Sequence, residues 1–186
     1  NQFLEGTGSM VLDRENKIAY ASISKRTNKL LFKNWCRDMN FEAVYFEAED
    51  AGKPIYHTNV LMSICQNMVL ICLDAINDVS DQDKLISLFK ITGKELIKIS
   101  KEQMNGFLGN VLELKAKQDQ SVLVMSSSAF NILTRQQKDT INQYCNIVHS
   151  SLNTIEYFGG GSARCMIAEL FLKSNYGPKF KHPILS

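Results

Sequence analysis

The sequence predicts an α/β fold made of a repeated ββαβ unit. Strand-like segments occur in pairs, and each pair is followed by one amphipathic helix and a further strand. The pattern starts again about every fifty residues, a period typical of repeat architectures. A small or polar residue precedes the first apolar strand of each round; these residues are Ser9, Asn59, Asn110 and Cys165. If this is more than the loose repetition of any α/β protein, equivalent strand ends gather around one axis and these residues face a central pocket.

The first round is expected to contain a hairpin, a helix and a third strand. These elements are predicted at 9–13, 17–22, 28–39 (the helix) and 42–48. Thr27 or Asn28 is the expected N-cap, since both side chains can accept a hydrogen bond from the first helical turn. One helix face is expected to be buried; its residues are Leu30, Leu31, Trp35 and Met39.

The next two rounds repeat this order. In the second, strands are predicted at 59–65, 68–74 and 95–99, with a helix at 81–91 opened by Ser80 and Asp83 and burying Leu85, Leu88 and Phe89. In the third, strands are predicted at 110–115, 121–126 and either 146–150 or 153–157, with a helix at 135–145 opened by Thr134 and Gln137. A fourth round only begins, with a strand expected at 163–171.

The length and composition fit one folded domain. The chain has 186 residues, of which 45% are hydrophobic and 22% charged. We expect a single domain spanning 1–186, with modules at about 5–52, 55–105 and 107–158 and a final strand region at 159–172.

The charge balance and the hydropathy exclude several partner classes. A formal net charge of +2 gives no reason to expect a nucleic acid or a membrane surface as partner. No run approaches the ~18 to 20 apolar residues of a membrane span, and the first residues do not resemble a signal peptide. We therefore expect a cytoplasmic protein with free thiols. The five cysteines show no spacing typical of a structural zinc site, so no metal is expected.

Three residues are candidates for chemistry. Cys165 follows a glycine-rich run that brings backbone N–H groups close to a ligand, and it is either a nucleophile or a small buried residue. His57 lies at the polar position of the repeat, where a histidine is either structural or the base that activates a thiol. Glu5 lies at the same end of the first round, either solvated or orienting an imidazole. The lysines Lys94, Lys98 and Lys101 are expected on solvated faces.

Three segments together resemble the amidinotransferase / arginine deiminase superfamily, and most closely its arginine-deiminase-related branch of citrulline-utilisation hydrolases. They are EGTGSMVLDR at 5–14, YHTNV at 56–60 and GGGSARCM at 159–166. The resemblance implies a pseudo-five-fold α/β propeller of ββαβ modules with its active site on the axis. At about fifty residues per module, the chain would form an incomplete ring of about three modules plus the start of another. Roughly the first two modules of the ring are then expected to be missing from the chain.

The resemblance also implies roles for the three candidates. Cys165 matches the nucleophile, His57 the general acid/base, and Glu5 the carboxylate that holds the histidine or the substrate nitrogens. The implied reaction is attack of the Cys165 thiolate on the trigonal carbon of a guanidino or ureido group, without metal or organic cofactor. The expected partner is a small amino-acid-like substrate, and a homo-oligomer is possible.

One departure from the superfamily pattern concerns charge. Guanidine-modifying members typically carry Asp where this chain has Asn59, and arginine deiminases carry Asp where it has Gly8. A neutral amide cannot pair with a cation, so a citrulline-like ureido substrate is favoured over arginine. The expected substrate-binding residues are Asn59, Asn110, Gly161, Ser162 and Arg164. A non-catalytic binding or assembly module and an amidinotransferase stay open as alternatives.

Overall fold

The computed structural model describes residues 2–116 and 120–169. Within these residues, three three-stranded sheets share one topology. In each sheet the first two strands form an antiparallel hairpin, and the third strand runs parallel to the second. The predicted ββαβ order is confirmed in the first two sheets, and in the third sheet two helices instead of one precede the last strand. None of the helices in the described part of the chain combines the length and the apolar character that a membrane span requires.

The first sheet follows a one-turn helix, α1 (Gly6–Ser9). Its elements are β1 (Val11–Asp13), β2 (Ile18–Ser22), α2 (Lys29–Met39) and β3 (Glu42–Phe46). Asn28 caps α2, because its Oδ1 accepts from Leu30 N at 3.0 Å and Leu31 N at 3.1 Å. The expected buried face is wrong for Leu30 and Met39, which are exposed. Instead Phe32 and Cys36, one turn apart, pack against the small alanines of β2.

The second sheet begins after the two-residue strands β4 (Glu49–Asp50) and β5 (Lys53–Pro54). Its elements are α3 (Thr58–Leu61), β6 (Met62–Ile64), β7 (Met68–Ile71), α4 (Val79–Ile91) and β8 (Glu95–Lys98), with a 3₁₀ turn at Leu73–Ala75. The strands predicted at 59–65 and 68–74 are therefore shorter. The cap predicted at Ser80 is also wrong, because the carboxylate of Asp78 accepts from Ser80 N at 2.7 Å and starts α4 earlier.

The third sheet follows α5 (Lys101–Asn105). Its elements are β9 (Leu112–Lys115), β10 (Ser121–Ser126), α6 (Ser127–Asn131), α7 (Arg135–Ile141) and β11 (Asn146–Ser150), followed by α8 (Asn153–Gly159). The capping box of Thr134 and Gln137 is confirmed, although α7 ends at Ile141. Of the two alternatives for the last strand, 146–150 is correct and 153–157 is helical.

The strand expected at 163–171 is wrong for the residues that the structure describes. Ala163–Met166 is a 3₁₀ turn, and 167–169 are not part of a sheet. Residues 170–171 of that prediction lie outside the described residues. The strand is absent here because a single helical turn occupies the polar position of the repeat, as α1 and α3 do in the first two rounds. This turn displaces the start of the following strand in the first two rounds.

Equivalent backbone carbonyls link the successive rounds. Ser9 O accepts from Thr58 Oγ1 at 2.6 Å, Asn59 O accepts from Asn110 Nδ2 at 3.0 Å, and Asn110 O accepts from Arg164 N at 3.1 Å. The first strands β1, β6 and β9 also contact one another in turn. Asn59, Asn110 and Cys165 are therefore brought together where the sheets meet. The expectation that Ser9 faces the same pocket is wrong, because its side chain is fully buried and donates to Arg26 O at 2.8 Å.

A buried ion pair joins the first and second sheets. Lys94 Nζ lies 3.2 Å from Asp13 Oδ2, and the two side chains are 2% and 1% exposed. The same ammonium donates to Gln66 O at 2.8 Å. The expectation of a solvated Lys94 is therefore wrong. Gly93, with φ +69°, turns the chain after α4 so that the lysine stem runs inward.

Replacing Lys94 by Met should destabilise the protein strongly. The substitution leaves the Asp13 carboxylate buried without its counter-charge, which costs about 3–5 kcal/mol of unfolding free energy. Urea unfolding followed by circular dichroism measures this loss. Lys98→Met is the matched control, since Lys98 is exposed and its replacement should change stability by no more than about 0.5 kcal/mol. Equal effects of the two substitutions would contradict a stabilising role for the buried pair.

Candidate active site

A cavity of about 660 Å³ lies where the sheets meet. Its wall includes the start of α3, the end of α5 with the turn that follows it, and the glycine-rich segment that leads to Cys165. Its polar lining consists of Arg26, Tyr56, His57, Asn59, Asn105, Asn110 and Cys165. The fold thus brings two of the three catalytic candidates, Cys165 and His57, to one cavity.

His57 is held by the third candidate, Glu5. His57 directly precedes α3 and Glu5 directly precedes α1. The imidazole Nε2 lies 2.7 Å from Glu5 Oε2, within hydrogen-bond distance of a carboxylate that accepts the ring N–H. Gly8 lies against the same ring, because a Cβ at this position would be 2.7 Å from His57 Nδ1. The carboxylate and the glycine together fix where the imidazole lies.

Cys165 lies beside two side-chain amides. Asn110 Nδ2 is 3.2 Å from the sulfur, and Asn59 Nδ2 is 3.5 Å from it. Both asparagines are 3% exposed. The repeat predicted that these residues would meet, and the structure brings their amides to the sulfur. Asn59 Oδ1 is buried and has no hydrogen-bond partner among the described residues, so this side chain keeps one unused acceptor.

The loop before Cys165 depends on a carboxylate that the sequence did not indicate. Glu156, in α8, is 8% exposed and accepts from Ser162 Oγ at 2.7 Å and from Ser128 Oγ at 2.8 Å. Ser162, predicted as a substrate contact, is fully buried and points away from solvent to this carboxylate. Glu156 could have been recognised only if 153–159 had been predicted as a helix. The pattern of apolar residues in this segment fits a strand equally well.

The two remaining predicted contacts differ in position. Gly161 lines the cavity, and a Cβ there would lie 3.1 Å from both Cβ and Sγ of Cys165, so glycine permits the close approach. Arg164 does not line this cavity. Its guanidinium lies 3.9 Å from Glu169 and donates to Ile167 O at 3.2 Å. Arg164 and Cys165 line a second, smaller cavity of about 260 Å³.

Arg26 and Tyr56 form part of the wall of the larger cavity. The guanidinium of Arg26 lies 5.0 Å from the centre of the Tyr56 ring and 3.7 Å from Glu5 Oε2. Tyr56 Oη donates to Gly160 O at 3.3 Å, which ties the glycine-rich loop to the residue before His57. Among the described lining residues, Arg26 is the one formally charged side chain, and none is a carboxylate.

The exposed Cys165 differs from the other four cysteines. Cys36, Cys65, Cys72 and Cys145 are buried, whereas Cys165 is exposed. Burial raises the pKa of Cys36 and of Cys145 to about 11 and also raises the pKa of Cys65 and Cys72. The buried thiols are therefore protonated near neutral pH. In the described part of the chain, no three His, Cys, Asp or Glu side chains are grouped closely enough to hold a metal ion.

Solved structures with the same fold come from arginine-metabolising enzymes. An apo arginine dihydrolase, ArgZ, of the ornithine-ammonia cycle in Cyanobacteria matches with a TM-score of 0.68 and 18% identity over 88% of this chain and 23% of that chain. The N-terminal domain of an ArgZ variant, covalently bound to a reaction intermediate, matches with a TM-score of 0.67 and 17% identity over 88% and 55%. AgrE in complex with ornithine and NAD+ matches with a TM-score of 0.68 and 18% identity over 88% and 22%.

These matches establish a mixed α/β fold shared with the arginine dihydrolases. This chain spans about a quarter of full-length ArgZ and about half of its N-terminal domain. No curated protein sequence matches the chain at a significant level. A family profile does match, over residues 1–172. The chain therefore belongs to the family described as "N,N dimethylarginine dimethylhydrolase, eukaryotic", and through it to the amidinotransferase superfamily.

Proposed function

We propose that this chain carries the catalytic residues of a cysteine-dependent C–N hydrolase that acts on a ureido or guanidino group. Cys165 is the nucleophile, His57 the general acid/base and Glu5 the carboxylate that orients His57. The supporting observation is that an exposed thiol and a carboxylate-bound imidazole line one cavity. A thiol and an imidazole at one site are the groups that covalent catalysis with proton transfer requires.

The proposed reaction has two steps. The Cys165 thiolate attacks the trigonal carbon, an S–C bond forms, and the C–N bond to the leaving nitrogen breaks as His57 transfers a proton to that nitrogen. The amine or ammonia departs. His57 then removes a proton from water, the resulting hydroxide adds to the S-linked carbon, and the S–C bond breaks to regenerate the thiolate. Water supplies the oxygen of the product, and no redox change occurs.

The relatives support this general chemistry. The family is named for hydrolysis of N,N-dimethylarginine, and ArgZ is an arginine dihydrolase whose N-terminal domain has been seen covalently bound to an intermediate. Each of these substrates carries a guanidino group. A guanidino substrate is accordingly the competing outcome for this chain.

We favour a neutral, citrulline-like ureido substrate because of the charges around the cavity. Its described lining contributes the cation Arg26 and three asparagines, and the nearby carboxylate of Glu5 is already engaged by Arg26 at 3.7 Å and by His57 at 2.7 Å. The unpaired Asn59 Oδ1 can accept an N–H from either a ureido or a guanidino group, but it supplies no net charge to balance a guanidinium. Gly161, Ser162, Asn110 and Arg164 complete the set of residues proposed to shape the substrate site, Ser162 through the loop alone.

We also propose that the three sheets are modules of a pseudo-five-fold α/β propeller, with a further module beginning at 159. The repeated carbonyl links between rounds support this arrangement.

Ammonia release should be compared between the full-length gene product and this 186-residue chain, each with citrulline, arginine and N,N-dimethylarginine (which releases dimethylamine instead). Turnover by neither protein favours a non-catalytic module. Transfer of the group to an added amine favours an amidinotransferase.

Replacing Cys165 by Ala should abolish turnover. Without a nucleophile the covalent step cannot occur, and we expect the rate to fall by about 10⁴-fold or more. Ammonia or dimethylamine release by the active full-length protein measures this. Cys36→Ala is the control, since it removes a buried thiol from α2 and should retain turnover. Unchanged turnover in Cys165→Ala would rule out the proposed mechanism.

Replacing Asn59 by Asp should move specificity toward arginine. A carboxylate at this position pairs with a guanidinium, and we expect the ratio of kcat/KM for arginine to that for citrulline to rise at least about tenfold. The ratio is the useful quantity, because the new charge also lies near Cys165 and affects both substrates. Asn142→Asp adds the same charge at an exposed site and should leave the ratio unchanged. An unaltered ratio of kcat/KM values in Asn59→Asp would show that the residue at position 59 does not discriminate between substrates by their charge.

Iodoacetamide should label Cys165 well before the other cysteines near neutral pH. The four buried thiols are enclosed and have raised pKa values, so their reactive thiolate fraction is small. Peptide mass spectrometry of a labelling time course measures the five rates separately. Free cysteine provides the reference rate. Labelling of Cys165 no faster than this reference would favour a non-catalytic module.

A further inference from the structure

We propose that the carboxamide of Asn110, assisted by that of Asn59, holds the Cys165 sulfur in its thiolate form. The inference rests on the proposed role of Cys165 as nucleophile, and it gives Asn110 a direct catalytic task in addition to its place in the wall of the cavity. It follows from where each hydrogen-bonding group of the Asn110 side chain is directed.

The Asn110 carboxamide has no free hydrogen-bonding capacity. Its Oδ1 accepts from Ser162 N at 3.0 Å and from Cys165 N at 3.4 Å. Its Nδ2 donates to Asn59 O at 3.0 Å, and the remaining hydrogen faces Cys165 Sγ at 3.2 Å. A primary amide offers two acceptor and two donor positions, and all four are used here. If the amide were flipped, its NH₂ group would face the N–H donors of Ser162 and Cys165. The partners of the amide therefore fix its orientation.

This orientation makes the sulfur an acceptor. A neutral thiol is a weak acceptor, whereas a thiolate accepts strongly, so donors directed at sulfur stabilise the charged form. Asn59 Nδ2 supplies a second, longer contact at 3.5 Å. Both amides are 3% exposed, and burial shields their N–H groups from competition with water.

The carboxylate of Glu156 supports this arrangement from the other side of the loop. It fixes the Ser162 hydroxyl, and the Ser162 backbone N–H is one of the two groups that orient Asn110 Oδ1. Glu156 is thus a positioning residue, while Asn110 contacts the reacting atom.

Charged groups also face Cys165 from both cavities. His57 and Arg26 line the larger cavity with it, and Arg14, Arg164 and Glu169 line the smaller one. These groups are identical in the wild type and in asparagine variants. A difference between such proteins in the pH dependence of Cys165 alkylation therefore reports the amide.

The test is the rate of Cys165 alkylation by iodoacetamide as a function of pH in the 186-residue chain. Peptide mass spectrometry measures this rate from about pH 5 to about pH 10. For Asn110→Ala, the loss of one hydrogen bond to a charged group should move the alkylation midpoint upward by about one pH unit, with about tenfold slower labelling at neutral pH. For Asn59→Ala, whose contact is longer, we expect a smaller upward movement.

The matched control is Ser63→Ala. Ser63 is 5% exposed and donates to Val111 O at 2.8 Å, so this variant also removes a buried hydrogen bond between the second and third rounds, next to Asn110. It does not touch the sulfur and should keep the wild-type midpoint. Circular dichroism checks the fold of each variant, and if Asn110→Ala fails to fold, Asn59→Ala decides.

Wild-type midpoints in the folded asparagine variants would overturn the proposal, and so would an equal movement in Ser63→Ala. Because alkylation requires no substrate, its outcome is separate from that of the turnover assays. A shifted midpoint without turnover of any substrate would reject the proposed function and leave the thiolate assignment standing. Turnover that depends on Cys165, with unshifted midpoints, would support the proposed function and reject the thiolate assignment.

Discussion

The hydrogen bonds of one side chain, Asn110, connect the parts of this molecule that form the candidate active site. They join the turn before β9 to the backbone of α3 in the second round and to the loop that carries Cys165. The same carboxamide that links the rounds therefore also sets the environment of the sulfur. A single buried amide thus contacts both the junction between the rounds and the sulfur.

The repeat explains how residues far apart in sequence meet. In the first two rounds one helical turn precedes the first strand, and at the equivalent position of all three rounds a backbone carbonyl accepts a hydrogen bond from the next round. Residues at equivalent turns thus meet in the same region: Glu5 and Gly8 of the first round both contact His57 of the second. Catalytic residues in such an arrangement need no long-range loop, because the fold supplies their proximity.

The sequence predicted the ββαβ order, the three sheets and the meeting of Asn59, Asn110 and Cys165, because those features depend on local periodicity and on the phase of the repeat. It missed the one-turn helices, since four residues are too few to show a helical period. The sequence placed Lys94 in solvent because composition does not reveal that its ammonium pairs with Asp13 at the end of β1. It missed Glu156 because the function of a buried carboxylate depends on tertiary contacts with Ser128 and Ser162.

The close packing of Gly8 against His57 restricts the order in which this active site could change during evolution. The arginine deiminase pattern has Asp where this chain has Gly8, and any side chain there begins with a Cβ that would overlap the imidazole, 2.7 Å from its Nδ1. His57 would have to adopt another position before a carboxylate could be accommodated. A substitution at position 8 and the position of His57 are therefore coupled, because the imidazole that a new Cβ would displace is the one that Glu5 now holds.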